Sequence, residues 1–235
     1  MNTTYGKNAI EVANHPLEGS QQCLIIDSGS TLQAILAAPA LPELLKHSLQ
    51  GWMTWQQRNG ITLQQTLLSP SLAPQWIAAL LAWGSHVGST NNERQNTLLA
   101  DYLRGVGSVR AQPAQLLIPV EPQGRKWGEA FVVRTPSDRP IVSAIAVVDT
   151  DKDVVRLARL AMTGVWRETT RLTKAPAQLT GKRLIEKNIL QIVGEIGQEV
   201  ELSHTWRGGA DYRRSMASLM ARRAFMQCMA GENGQ

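Results

Sequence analysis

The sequence predicts an α+β protein in which a mostly helical region precedes a small antiparallel sheet with covering helices. Up to about residue 105, apolar residues recur mainly at the three- and four-residue spacing of helices. Beyond that point, short apolar runs separated by turn residues indicate antiparallel strands. Two amphipathic segments then end the chain, and helices of that kind cover one face of a sheet. We therefore predict two domains, residues 1–110 and 111–235.

The first region predicts one short strand and three helices. Residues 24–26 are an apolar strand, and Thr31 can cap the helix that follows, because its hydroxyl can accept from a backbone N–H one turn further on. Residues 41–55 predict a second helix and residues 76–83 a third. Residues 89–94 are all polar or small, which predicts a loop.

The second region predicts a sheet and two helices. We expect strands over residues 116–120, 130–133, 141–148 and 154–163. A polar turn joins the last two strands, so they form a hairpin. Pro119 cannot donate to a sheet ladder and therefore marks an end or an edge. We expect helices over residues 181–197 and 211–229.

The last predicted helix carries apolar and basic residues on different sides. We expect its apolar residues to pack on the sheet; these are Tyr212, Met216, Leu219 and Met220. The arginines then lie off that face as a positive strip of Arg213, Arg214, Arg222 and Arg223. Because a guanidinium binds a carboxylate in two places at once, we expect this strip, together with Tyr212, to contact a partner protein.

Composition excludes several classes of protein. The chain has 235 residues, of which 43% are hydrophobic and 18% charged, as in an ordinary globular protein. No apolar run approaches the roughly 20 residues that span a bilayer. The first residues lack the pattern of a secretory signal, so we expect a cytoplasmic protein without a membrane partner. The net charge of +5 is spread along the chain, and nucleic-acid binding stays a minor alternative.

The residue types that carry chemistry are few and scattered. Two cysteines and four histidines occur without metal-ligand spacing, so we expect no metal in this chain. No nucleophile–base pair is recognisable, and we assign no catalytic residues.

Six segments, read in order, resemble the medium, FAD-binding subunits of molybdopterin dehydrogenases, the flavoprotein family of carbon monoxide dehydrogenase and xanthine dehydrogenase. They are 57–63 (QRNGITL), 79–84 (ALLAWG), 99–105 (LADYLRG), 140–146 (PIVSAIA), 209–214 (GADYRR) and 222–224 (RRA). The resemblance implies that residues 1–110 are the remnant of the FAD-binding domain, mainly its second subdomain. It implies that residues 111–235 are the C-terminal domain of the same type.

The resemblance also implies cofactors and partners. In that family the flavin receives electrons from [2Fe-2S] clusters in a small subunit, and a molybdenum cofactor in a large subunit reduces those clusters. Both metal centres would therefore belong to partner chains. This chain would be at most a non-catalytic or electron-transfer subunit of an oxidoreductase.

Two departures from the family predict that the flavin is absent. Family members open with a βα unit that contains an A-G-G-T-type loop, whereas residues 10–12 align with the strand that follows this unit. The family's T-x-G-G-N loop is replaced by Thr62-Leu63-Gln64-Gln65-Thr66, so side chains stand where glycines would let the backbone approach the pyrophosphate. If flavin is retained, Thr62, Leu63, Gln64 and Gln65 are the residues expected to contact it. Residues 71–75 also lack the carboxylate that the family carries nearby.

Three functions therefore remain open. The chain is an accessory subunit of a molybdenum hydroxylase that binds no FAD; or it is a working electron-transfer subunit whose missing loop comes from another chain; or it is a stand-alone binding module that reuses the fold. The double departure favours the first.

Overall fold

The computed structural model describes residues 10–15, 21–89, 92–105, 112–120, 124–135, 138–166, 170–201 and 208–231. The chain divides into two compact units, residues 1–121 and 122–235. This division lies later than the predicted boundary between residues 110 and 111, because the strand at 113–119 pairs inside the first unit rather than the second. Among the described residues, no helix combines the length and apolar character needed to cross a membrane.

The sheet of the first unit has five antiparallel strands in the order β1-β2-β5-β3-β4. The strands are β1 Ile10–His15, β2 Gln21–Asp27, β3 His86–Ser89, β4 Asn92–Leu98 and β5 Pro113–Pro119. Strand β2 confirms the predicted apolar run at 24–26. Pro119 lies at the end of β5, which is an interior strand of the sheet.

The polar loop predicted over residues 89–94 is wrong, because β3 ends and β4 begins within that segment. Strand β4 pairs with β3 from His86 opposite Leu98, and β3 pairs on its other side with β5. Backbone ladders of this kind do not depend on apolar side chains, so the polar composition concealed the strand.

The helices of the first unit are mostly short. They are α1 Leu32–Leu36, α2 Glu43–Trp52, α3 Trp55–Gly60, α4 Leu63–Leu68, a 3-10 helix Pro70–Leu72, α5 Pro74–Trp83 and α6 Leu99–Arg104. Thr31 caps α1 by accepting from the Ala34 N–H, as predicted. The single helix predicted over 41–55 is instead two, since Met53 is extended and Thr54 starts α3 with a cap of its own.

Helix α5 forms the centre of the first unit. Nine of its ten residues are buried, and the indole N–H of Trp83 donates to the Pro119 carbonyl at 2.9 Å. The helix ends at Gly84, whose φ of +88° is a left-handed conformation that favours glycine. This confirms the helix and stop predicted for residues 76–84.

The second unit is a four-stranded antiparallel sheet with helices on one face. Its strands, in the spatial order β6-β7-β8-β9, are β6 Arg125–Val132, β7 Val142–Asp151, β8 Val154–Thr163 and β9 Thr170–Leu172. Its helices are a 3-10 helix Ala175–Leu179, α7 Glu186–Ile196 and α8 Ala210–Ala230. Strands β7 and β8 form the predicted hairpin, and Lys152 and Asp153 turn it with positive φ.

Small residues let α8 lie close against the sheet. Ala217, Ala221 and Ala224 are buried against alternate residues of β7. Where α8 crosses β6, a Cβ on Gly128 would lie 2.2 Å from the Ala224 carbonyl oxygen, so only glycine fits there. Met220, Phe225 and Cys228 of α8 are buried in the same core, and Met216, Leu219 and Met226 are partly buried against it.

Candidate functional site

The first turn of α4 contains the residues that the sequence assigned to a flavin. Thr62 precedes the helix, and its hydroxyl accepts from the Gln65 N–H at 3.3 Å. The Gln65 side chain returns the bond, because its Oε1 accepts from the Thr62 N–H at 2.9 Å. This reciprocal pair is a capping box, which satisfies two of the N–H groups that a helix start leaves open.

The intervening N–H groups of the same turn are bonded to the loop after β2. The Leu63 N–H donates to the Ser30 carbonyl at 2.9 Å, and the Gln64 N–H donates to the Ser28 carbonyl at 2.8 Å. Each N–H from Thr62 to Gln65 therefore has an acceptor within the chain. A helix start binds an anion through N–H groups that point at it, and here those groups are already used.

The side chains of this turn are also buried or hydrogen-bonded within the chain. Leu63 is fully buried, and the Thr66 hydroxyl donates back to the Leu63 carbonyl at 2.8 Å. The Gln64 amide donates to the Gln112 side chain at 3.2 Å. The structure thus brings the four predicted residues together, but as a closed polar cap rather than as an open backbone cradle.

The loop that closes this turn was not singled out in the sequence. Asp27 Oδ1 accepts from the Gly29 N–H at 2.7 Å, which shapes the loop, and Thr31 forms an isolated antiparallel bridge with Thr62. Ser30 is fully buried, and its hydroxyl has no hydrogen-bond partner among the described residues. The Asp-Ser-Gly-Ser-Thr run was a usable signal, since such residues form turns whose carbonyls face a neighbouring segment.

The segment after α4 contains no carboxylate either. Residues 70–72 form the 3-10 helix, and Gln75 at the start of α5 is buried. Trp76 and Trp83 are fully buried core residues, whereas Trp55 is 66% exposed.

The predicted interface on α8 is partly corrected. Arg213 is only 6% exposed; its Nε donates to the Gly208 carbonyl at 3.2 Å and its guanidinium also donates to the Gly164 carbonyl. The prediction that Arg213 lies off the buried face is therefore wrong. Arg213 holds two loop carbonyls, a role for which its five N–H donors suit it.

The remaining interface residues do lie at the surface. Arg214 pairs with Asp211 at 3.3 Å, and Arg222 pairs with Glu186 of α7 at 2.8 Å. Arg223 is exposed, and among the described residues it has no carboxylate within salt-bridge distance. Tyr212, which was expected to pack on the sheet, is 43% exposed, so that part of the prediction is also wrong. Met220 is buried in the core as predicted, and Met216 and Leu219 are partly buried against it.

The cysteines are poor candidates for redox chemistry. Cys23 and Cys228 are both buried, and burial raises the pKa of each thiol above its ordinary value. The reactive species is the thiolate, so a raised pKa lowers reactivity. Within the described ranges, no group of three or more His, Cys, Asp or Glu side chains could hold a metal ion. His204 lies outside those ranges.

Known proteins match this chain by family model and by fold. Residues 130–228 match the model of the CO dehydrogenase flavoprotein C-terminal domain. A carbon monoxide dehydrogenase structure from Hydrogenophaga pseudoflava, in a form lacking the Mo-pyranopterin moiety of the molybdenum cofactor, superposes with a TM-score of 0.74 at 20% identity, covering 93% of this chain and 77% of that chain. Reconstituted CO dehydrogenase from Oligotropha carboxidovorans gives 0.75 at 20%, covering 94% and 79%.

The chain has the fold of the flavoprotein subunits of molybdenum hydroxylases. Quinoline 2-oxidoreductase from Pseudomonas putida 86 also matches this medium-subunit fold, with a TM-score of 0.73 at 18% identity, covering 94% of this chain and 78% of that chain. No curated protein matches the sequence at a significant level.

The sequence resemblance makes the first turn of α4 the place to test for flavin. Its N–H groups are bonded within the chain, and Gln64 and Gln65 carry side chains where the resemblance expects glycines. A pyrophosphate needs close backbone approach and free N–H donors. The residues at this turn therefore do not fit a flavin pyrophosphate.

Proposed function

We propose that this chain is an accessory subunit of a molybdenum hydroxylase complex, which keeps the medium-subunit fold without binding FAD. The observation that carries the proposal is the closed first turn of α4, in which every N–H from Thr62 to Gln65 has an acceptor within the chain. To bind a pyrophosphate there, the chain would have to break several of these bonds. Each net hydrogen bond contributes about 1 kcal/mol, so the cost would subtract directly from binding.

The partners follow from the fold family. We propose that the chain assembles with a large subunit that holds the molybdenum cofactor and a small subunit that holds [2Fe-2S] clusters. Its own contribution would be structural, since neither a metal cluster nor a reactive thiol is found among the described residues. Electron transfer through this chain would require a flavin that the α4 turn does not fit.

A flavin-release experiment tests the proposal directly. The full chain is purified, denatured, and the supernatant is assayed for FAD by fluorescence. We expect substoichiometric FAD for the wild-type chain. We expect the same for Gln64→Gly combined with Gln65→Gly, because the carbonyls of Ser28 and Ser30 still accept from this turn.

The chain supplies a matched control. Helix α3 starts with Thr54-Trp55-Gln56-Gln57, the same T-x-Q-Q pattern, so Gln56→Gly with Gln57→Gly makes an equal change at a different helix start. Stoichiometric FAD in the wild-type chain would refute the proposal. FAD binding gained by the α4 variant, and not by the α3 variant, would show that the glutamines alone exclude the flavin.

Assembly is tested separately. The chain is co-expressed with a molybdopterin subunit and a [2Fe-2S] subunit of a molybdenum hydroxylase, and the complex is isolated through a tag on this chain. We expect molybdenum and iron to co-purify with it in fixed ratio. A chain recovered alone, with neither metal, would overturn the assignment to a hydroxylase complex.

A further inference from the structure

The outward side of α8 carries a regular stripe of large side chains. Tyr212, Met216, Leu219, Arg223 and Met226 follow one another at alternating spacings of four and three residues. This spacing places successive residues on one side of a helix, and it is the spacing of the seam through which two helices pack. None of these five residues is among the buried residues of α8, which lie on its other side.

The stripe is more apolar than the outer side of a surface helix requires. A helix that covers a sheet on one side usually has polar residues on the other. On α8 the buried side already contains four alanines with Met220, Phe225 and Cys228, and four of the five stripe positions are also Tyr, Met or Leu. Met216, Leu219 and Met226 are partly buried against the core, and Tyr212 is 43% exposed.

The unit that contains this stripe is positively charged. Of the chain's 24 basic and 19 acidic residues, 18 basic and 12 acidic ones belong to residues 122–235, which gives that unit a formal net charge of +6 against −1 for residues 1–121. Arg223 lies within the stripe and Arg222 lies beside it, whereas Arg214 lies on the side of α8 that faces Gly197 at the end of α7. Arg214 and Arg222 each have one carboxylate partner, whereas Arg223 has none among the described residues.

The charges on α8 favour an acidic partner helix over a second copy of this chain. Two copies of this chain packed through this face of α8 would bring two copies each of Arg222 and Arg223 together, with only two copies of Glu186 to offset them. Like charges across an interface oppose pairing. A partner helix with apolar side chains in its seam and carboxylates at its borders would satisfy both the stripe and the arginines.

We propose that the outward face of α8 is a docking site for an amphipathic, acidic helix of a partner protein. Leu219 and Tyr212 supply apolar contact, and Arg223 binds a carboxylate of the partner. Only the identity of the partner as a hydroxylase subunit rests on the proposed function.

A peptide experiment tests the docking site without the complex. The probe is a labelled synthetic helix of three heptads with Leu at positions a and d and Glu at positions e and g; the comparison peptide has Lys at e and g. In each peptide the like charges oppose self-pairing. Binding to the full chain is followed by fluorescence anisotropy. We expect the Glu peptide to bind at least tenfold more tightly than the Lys peptide, with the difference reduced at high salt.

Substitutions locate the binding face. Leu219→Glu and Arg223→Glu should each weaken binding of the Glu peptide at least tenfold. Leu72→Glu is the matched control, because Leu72 is 39% exposed and lies in the first unit. Because Leu219 also contacts the core, the unfolding midpoint of each variant is measured, and Arg223→Glu gives a test that does not depend on core packing.

Four results would overturn the docking site. They are equal binding of the two peptides, unchanged binding after Arg223→Glu, a dimer of the wild-type chain that Leu219→Glu dissociates, and tighter binding of random-sequence duplex DNA than of the Glu peptide in the same salt. If peptide binding behaves as expected but the chain is recovered without molybdenum and iron, the proposed function fails and the docking site stands. If the complex forms equally well with Arg223→Glu and Leu219→Glu, the site serves no hydroxylase subunit.

Discussion

Two short helices in the first unit begin with the same residues and have different environments. Helix α3 starts after Thr54 with Trp55-Gln56-Gln57, and α4 starts after Thr62 with Leu63-Gln64-Gln65. Both form a complete capping box, with donor–acceptor distances of 2.9 and 3.3 Å in each. The local sequence therefore produced the same local structure twice.

The two capping boxes differ in the residues that surround them. Helix α3 buries no residue and leaves Trp55 exposed, and the N–H groups of Trp55 and Gln56 have no acceptor among the described residues. Helix α4 buries Leu63, Thr66 and Leu67, and the loop after β2 accepts from its remaining N–H groups. A capping box alone leaves part of a helix start open to a ligand or to water, and only the neighbouring loop closes it at α4.

The largest expected difference comes from the first residue of each helix. Leu63→Ala should lower the free energy of unfolding by about 2–4 kcal/mol, because it removes a fully buried side chain. Trp55→Ala changes the equivalent but exposed position and should cost less than about 0.5 kcal/mol. Urea unfolding of both variants measures the difference. Equal losses would contradict the contrast in burial.

A smaller difference is expected at the caps. Thr62→Ala should cost about 1–2 kcal/mol, the upper part of the range for an N-cap, because α4 cannot fray without exposing Leu63 and Leu67. Thr54→Ala should cost about 0.5 kcal/mol, since α3 can fray while the core stays intact. The same unfolding experiment compares the pair. A larger loss at Thr54 than at Thr62 would mean that α3 supports the core more than its burial indicates.

The smallest effect is expected at the returning glutamines. Gln65→Ala and Gln57→Ala each remove one side-chain bond to the N-cap N–H but place a better helix former in the first turn, so each should change stability by less than about 0.5 kcal/mol. The two values should agree, because the change is local in both. A cost above about 1.5 kcal/mol for Gln65 alone would show that its side chain also supports the loop after β2.

Prediction from sequence succeeded where the residues that decide the structure lie within one short segment. Thr31 as a cap, the helix that ends at Gly84 and the β7–β8 hairpin were all visible as local patterns. It failed where the deciding partner was distant in sequence. Strand β4 depends on pairing with β3, and residues 113–119 joined the first unit because they pair with β2 and β3.

The sequence also did not predict correctly which residues of helix α8 are buried. The extent of this helix was predicted within a residue at each end and Met220 is buried as predicted, but Tyr212 is exposed and Arg213 is buried. Where α8 crosses β6 the contact also requires small residues, because Gly128 and the alanines of α8 bring the two backbones close together. Arg213 is buried for a related reason, since two loop carbonyls lie where its guanidinium reaches them.

The sequence by itself determined the start of α1, the hairpin, the absence of metal-ligand spacing and the two glutamines that replace glycines in α4. Those features depend on residues within a turn or two of each other, so local propensity and hydrogen bonding are sufficient. Only the tertiary structure decided that the loop of Ser28 and Ser30 takes the remaining N–H groups of α4 and that α8 keeps Tyr212 and Arg223 exposed. Backbone acceptors and close approach between elements come from segments far apart in the chain, and no local pattern records which of them will meet.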